Sequence, residues 1–89
     1  MTKSIMQDDR YCYITGHTAR LDRHHVFGGS RRKAAEKWGC WVWLDHEIHM
    51  ALHSTNPELQ QQLKQECQER FEDLYGHDVF MRVFGKSYL

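Results

Sequence analysis

The chain has 89 residues, a length that suits a single domain, and its 12 basic and 12 acidic residues leave a formal net charge of zero. A domain of this size buries only about 60 to 65% of its unfolded surface, so a metal ion or a partner subunit would add useful stability. The balanced charge by itself argues neither for nor against a polyanionic ligand.

The charges are distributed unevenly along the chain. Residues 10–38 hold seven basic side chains against two acidic ones, whereas residues 45–75 hold seven acidic side chains against two basic ones. The first half could face phosphates while the second keeps the molecule soluble, although two ordinary solvated faces would give the same pattern.

No targeting or membrane-spanning segment is expected. Residues 1–10 are polar, and no apolar run approaches the ~20 residues that a spanning helix needs. The three cysteines are odd in number and widely spaced, which does not indicate a disulfide framework. Cys12 and Thr15 resemble half of a zinc knuckle, but Thr does not replace a thiolate ligand, so no structural zinc is expected there.

The first half of the chain predicts two short strands and a helix. A loose polar lead-in over residues 1–10 is followed by a strand over residues 11–14 and a second strand over residues 20–26 that ends at a histidine pair. A glycine-bearing loop comes next. Ser30 is a good N-cap for a short helix over residues 31–38, and Gly39 suits the position just past its end.

The middle of the chain predicts a strand that runs into a helix. Residues 41–44 alternate, with two indoles on one face and Val42 and Leu44 on the other. Asp45 is then predicted to cap a helix in which His49 and His53, four residues apart, lie on one face.

The last third predicts two helices. Asn56 is expected to cap the first, with Pro57 at its first position and Gly76 at its end, and Asp78 is expected to cap a last helix that ends at Gly85. An apolar stripe indicates the buried face of the longer helix. Its members are Leu59, Leu63, Cys67, Phe71 and Leu74.

Six of the seven histidines lie between residues 16 and 54. Successive strand side chains point to opposite sides, so one imidazole of the His24-His25 pair could join His49 and His53 on a divalent cation while the other acts as a general base. Imidazole ligands suit zinc, nickel and manganese better than calcium. A closed zinc site, with a fourth ligand from His25, His46 or Cys40, is the alternative and would be catalytically silent.

These motifs resemble a known superfamily. The pair His24-His25, the glycine-bearing loop, the following strand and the helical pair of His49 and His53 together resemble the HNH (His-Me finger) endonucleases. More narrowly, the chain is similar from residue 12 to 89 to small phage and prophage HNH-type nucleases, and it also resembles the phage recombination-enhancement nucleases.

The resemblance implies an α+β fold in one domain, residues 1–89, with a ββα-metal core over about residues 11–54 and a C-terminal helical region over about 56–89. It implies a metal-dependent DNA endonuclease in the cytoplasm of a bacterial host cell, with no membrane partner and with a homodimer or a phage recombination or packaging protein as further partners. One divalent ion, Mg, Mn, Ni or Zn, would be bound by His24, His49 and His53, with His25 as the general base.

The chain departs from the family pattern because the Asn that often orients the base is missing, the only Asn being Asn56. Ser30 or the main chain near Cys40 could replace it. A non-catalytic zinc-stabilised module that binds DNA or protein, or an inactive nuclease descendant, is therefore the alternative function.

Several further residues are predicted to support the site. Glu36 could brace the loop, and His46 and Glu47 could assist a ligand histidine. Three tryptophans, at positions 38, 41 and 43, are expected to be core residues rather than platforms for bases. Phosphate contacts that position DNA are predicted for Arg23, Arg31, Arg32 and Lys33.

Overall fold

The computed structural model describes residues 2–89, which form a small α+β fold of two antiparallel strands and four helices. The predicted fold class is confirmed at this level. A 3₁₀ turn at Gly29–Arg31 precedes the first helix. The elements are β1 (Leu21–His25), α1 (Arg32–Trp38), β2 (Trp41–Asp45), α2 (His46–Ser54), α3 (Pro57–Tyr75) and α4 (His77–Phe84).

The two strands pair antiparallel along their full length. His24 lies opposite Val42, and His25 lies opposite Trp41. Val42 and Leu44 are fully buried, as the alternation of β2 predicts, whereas the two indoles of this strand lie together on its other face with their ring centroids 5.4 Å apart.

Helix α2 follows β2 without a loop. The Asp45 side chain accepts hydrogen bonds from the backbone N–H groups of Glu47 at 3.0 Å and Ile48 at 3.5 Å, which confirms the predicted cap. The chain therefore reverses at Asp45 and lays α2 against β1. This reversal places the histidines of α2 over the first strand.

The core lies between the sheet and the two C-terminal helices. Four phenylalanines form its centre, with Phe27 4.5 Å from Phe84 and Phe71 5.4 Å from Phe80 between ring centroids. The buried thiol of Cys67 belongs to the same core, as its helical spacing predicts. Asn56 caps α3 through Leu59 N at 3.2 Å, as expected.

The lead-in was predicted to be loose, and this prediction is wrong for residues 2–7. Residues 2–7 run along β2: Trp41 Nε1 donates to the carbonyl of Thr2 at 3.0 Å, and Trp43 N donates to the Gln7 side chain at 2.7 Å. Gly39 permits this packing, because a Cβ there would lie 2.2 Å from the carbonyl oxygen of Lys3. Met1, the first residue of the predicted lead-in, lies outside the described residues.

Two local predictions near the N-terminal half are wrong. Residues 11–14 form a turn rather than a strand, because the Cys12 sulfur accepts from Thr15 N at 3.4 Å and from Asp45 N at 3.2 Å. Ser30 does not cap α1, because the chain first makes the 3₁₀ turn and the helix begins at Arg32. Gly39 does end α1 in the left-handed conformation, as predicted.

Two predictions in the C-terminal region also need correction. Leu74 is exposed, whereas the neighbouring Tyr75, although it is also partly exposed, contacts Phe71 with ring centroids 4.9 Å apart. Asp78 lies in the first turn of α4 rather than at its cap, which is Gly76. Within residues 2–89, no helix combines the length and apolarity that a membrane span requires.

Candidate metal centre

Three histidines that are distant in sequence converge between β1 and α2. Each of His24, His49 and His53 offers one ring nitrogen, and these nitrogens all lie within 4.8 Å of one another. The ring centroids are 5.0 to 5.7 Å apart. The set is the one that the family resemblance implied, and it could hold a metal ion.

The local sequence explains this convergence. His49 and His53 are one helical turn apart, so their rings lie on one face of α2, with the two Nε2 atoms 3.4 Å apart. His24 projects from β1 toward the same face. Since the antiparallel pairing fixes where α2 starts, the sheet and the Asp45 cap together set the distance between the strand histidine and the helix histidines.

The environment of His24 favours the neutral imidazole. The residue is 7% exposed, and burial together with the nearby His49 and His53 rings lowers its pKa from 6.5 to about 4. A neutral ring keeps a lone pair for a cation, whereas a protonated ring has none. His53, in contrast, is exposed and leaves the cluster open on its outer side.

Asp22 completes the cluster, although it was not predicted. Its Oδ2 atom lies 3.0 Å from Nδ1 of His49 and 2.7 Å from Nδ1 of His46. These hydrogen bonds lower the pKa of Asp22. A carboxylate that holds Nδ1 leaves Nε2 of His49 for a ligand, as is common behind metal-bound histidines. The signal in the sequence was the spacing Asp22-x-His24, which places both side chains on one face of β1.

His25 is not one of the three clustered histidines, because adjacent side chains of a strand project from opposite faces. Its Nε2 atom is 3.0 Å from Oε1 of Glu36, and the same carboxylate oxygen is 3.2 Å from Nη1 of Arg23. The contact with His25 is the main cause that lowers the pKa of Glu36, with Arg23 contributing. Glu36 therefore contacts the candidate base rather than bracing the glycine loop.

Arg23 is held within the protein. Its guanidinium carbon lies 3.7 Å from the centroid of the Trp41 ring, and its side chain is 16% exposed. Its Nε and Nη2 atoms are buried and have no hydrogen-bond partner within residues 2–89. Arg23 still borders the histidine cavity, so phosphate contact by this residue stays a prediction.

A cavity of about 300 Å³ joins the histidines to a basic rim. His25, Arg32 and the glycine loop line this cavity together with the three clustered histidines. The cavity is large enough for a phosphate group and several waters. Its lining comprises Arg23, His24, His25, Gly28, Gly29, Arg32, His49 and His53.

The other predicted DNA contacts take different positions. Lys33 is exposed and borders an adjacent cavity with Arg32 and Lys37. Arg31 points toward α4, where its Nη1 donates to the carbonyl of Val83 at 3.3 Å. DNA contact by these residues stays a prediction, and of the three, Arg32 also lines the cavity that contains the clustered histidines.

The predicted supporting residues are not all near the cluster. His46 contacts Asp22, as described above. The side chains of Ser30 and Glu47 are exposed and make no hydrogen bond within residues 2–89, and the carbonyl of Cys40 accepts from Val26 N at 2.9 Å. The side chain that contacts the ring of His25 is instead that of Glu36.

Comparison of the chain with protein-family models, with curated proteins and with solved structures found no match.

Proposed function

We propose that the protein is a metal-dependent DNA endonuclease of the HNH type that hydrolyses phosphodiester bonds. The observation that carries this proposal is the convergence of three ring nitrogens within 4.8 Å, in a cavity that also contains a separate histidine. The chain order of two strands and a helix, β1, β2 and α2, supports the proposal because a ββα-metal core would have the same order.

The donor set fits one divalent cation. His24, His49 and His53 supply three nitrogen donors, and Asp22 holds His49 from behind. A bound cation would stabilise negative charge on the phosphate that is attacked. Imidazole donors suit zinc, nickel and manganese, and magnesium is the fourth candidate ion.

The residues beside the cluster have separate functions in this proposal. His25, which is not one of the three clustered histidines, accepts the proton of the attacking water as a general base. Arg32 contacts a phosphate of the DNA backbone, and the absence of side chains at Gly28 and Gly29 allows that backbone to approach.

A closed zinc site that only stabilises the fold has less support. It would need a fourth donor, and the cluster found within residues 2–89 contains three histidines. None of the fourth ligands considered, which were His25, His46 and Cys40, belongs to this cluster. This observation favours a site with open coordination positions, which hydrolysis requires.

A plasmid cleavage assay tests the proposal. Metal-stripped protein is incubated with supercoiled plasmid, and magnesium, manganese, nickel or zinc is added back singly. We expect nicked or linear product from the wild type and from His17→Ala, which changes an exposed histidine away from the cluster. We expect His25→Ala to lose about 10²- to 10⁴-fold in rate while keeping metal binding, and His49→Ala to lose both.

The outcomes separate the two functions. Cleavage that persists in His25→Ala would refute the assignment of the base. If no metal supports cleavage while zinc raises the melting temperature of the wild type, the histidines form a structural clamp and the endonuclease proposal is wrong.

A further inference from the structure

The ring of His25 has two chemically different surroundings. Its Nε2 atom lies 3.0 Å from Oε1 of Glu36, whereas Nδ1 has no hydrogen-bond partner within residues 2–89. The side chain is 12% exposed and borders the histidine cavity. One ring nitrogen is thus held by α1, and the other makes no hydrogen bond to the described residues.

The charge state of Glu36 determines which ring nitrogen of His25 carries the hydrogen. The carboxylate pairs with the guanidinium of Arg23 at 3.2 Å, which favours its ionised form. An ionised carboxylate has lone pairs but no hydrogen to donate. Nε2 of His25 must then be the donor, and the neutral ring keeps its lone pair on Nδ1.

The carboxylate is itself held in place. Arg23 lies over the face of Trp41, with its guanidinium carbon 3.7 Å from the ring centroid. Arg23 and His25 are two residues apart in β1, so both side chains project from the same face of the strand toward Glu36. The sheet therefore presents two donors to one oxygen atom of α1, and this arrangement limits rotation of the imidazole.

We propose that Glu36 is a positioning residue that keeps the hydrogen of His25 on Nε2, so that Nδ1 accepts the proton of the attacking water. This inference rests on the endonuclease function proposed above. As the water oxygen bonds to phosphorus, the bond from phosphorus to the leaving oxygen breaks. The water proton moves to Nδ1, and the leaving oxygen takes a proton from solvent. Glu36 thus supplies the orienting contact for which Ser30 was considered.

The tautomer can be measured without any cleavage. In metal-free, histidine-labelled wild-type protein, long-range ¹H–¹⁵N spectra distinguish a protonated from an unprotonated ring nitrogen, and the His25 signals are identified by their loss in His25→Ala. We expect the hydrogen on Nε2. We expect Glu36→Gln to shift part of the population to Nδ1–H, and Glu69→Gln, which changes an exposed carboxylate of α3, to leave the spectrum unchanged. Hydrogen on Nδ1 in the wild type would overturn the inference.

A double-mutant cycle tests the effect on catalysis. Glu36→Gln should lower the turnover rate by no more than the about 10²- to 10⁴-fold loss of His25→Ala, with little change in the apparent KM for DNA. In the His25→Ala background, the same substitution should cause no further loss. Equal losses in both backgrounds would show that Glu36 acts on the fold and not through His25.

The two proposals fail in different ways. A wild-type protein that fails to cleave the plasmid with magnesium, manganese, nickel or zinc added back refutes the endonuclease function and, with it, the use of Nδ1 as the base. Cleavage by the wild type together with hydrogen on Nδ1 leaves the endonuclease function in place and refutes only the part assigned to Glu36.

Discussion

Asp22→Asn should weaken metal binding without unfolding the protein. One oxygen of Asp22 contacts Nδ1 of His49 at 3.0 Å and Nδ1 of His46 at 2.7 Å. The substitution keeps the shape of the side chain but removes its charge, which makes both hydrogen bonds weaker. Since His49 is one of the three clustered histidines, its ring becomes less well oriented for a cation.

The expected loss of metal affinity follows from the position of Asp22, which contacts one of the three clustered histidines, His49. Loss of such a partner costs about 10- to 100-fold in metal affinity, which is about 1.4 to 2.7 kcal/mol. At a metal concentration 100 times the wild-type Kd, binding stabilises the wild type by about 2.7 kcal/mol, and a tenfold weaker site retains about 1.4 kcal/mol. For a domain of this size, the metal-induced rise in Tm should fall from roughly 10–20 °C to about half of that or less.

The assay is thermal unfolding with and without zinc or nickel, together with calorimetric titration of the metal. Asp9→Asn changes an exposed carboxylate and serves as the matched control, with the full metal-induced rise expected. His49→Ala should abolish the rise. The reasoning is refuted if Asp22→Asn binds metal as tightly as the wild type while His49→Ala does not bind it.

Three further predictions concern the scaffold. Phe71→Ala should cost about 3–5 kcal/mol in chemical unfolding because this ring is fully buried, whereas Leu74→Ala, at an exposed position, should be nearly neutral. Gly39→Ala should lower the free energy of unfolding by more than about 1 kcal/mol, because φ is 75° and the new Cβ would meet a backbone carbonyl. Gly28→Ala is the control: φ is −94° and no atom of residues 2–89 lies near the new Cβ, so this variant should unfold at the same denaturant concentration as the wild type. Hydrogen bonds from Gln68 and His77 outweigh the effect of burial and lower the pKa of Glu72 from 4.5. The stability that these hydrogen bonds contribute should therefore be lost as pH falls through and below that value. Glu72→Gln should lose less stability in acid than the wild type does, and an equal loss would contradict this assignment.

Much of the secondary structure could be predicted from local signals. The caps at Asp45 and Asn56, the glycine ends of α1 and α4 and the alternation of β2 each depend on residues within a few positions of one another. Because such interactions form within a short stretch of chain, the folded structure contains them as predicted. The errors at Ser30 and Asp78 moved an element boundary by one or two residues and left the helix itself in place.

The interactions that the sequence left open are long-range. The packing of residues 2–7 along β2 joins segments more than thirty residues apart, and no periodicity signals it. The same holds for Glu36, whose partner could not be named because a strand and a helix must first pack before its carboxylate can meet Arg23 and His25.

The sequence by itself determined which imidazoles are available and which of them share a helix face, because the helical repeat fixes the spacing of His49 and His53. It also separated His24 from His25, since a strand alternates its side chains. Only the tertiary structure decided that Asp22 stands behind His49 and Glu36 beside His25. Those partners depend on the antiparallel register and on the close packing of α1 and α2 against β1, which no local pattern of residues specifies.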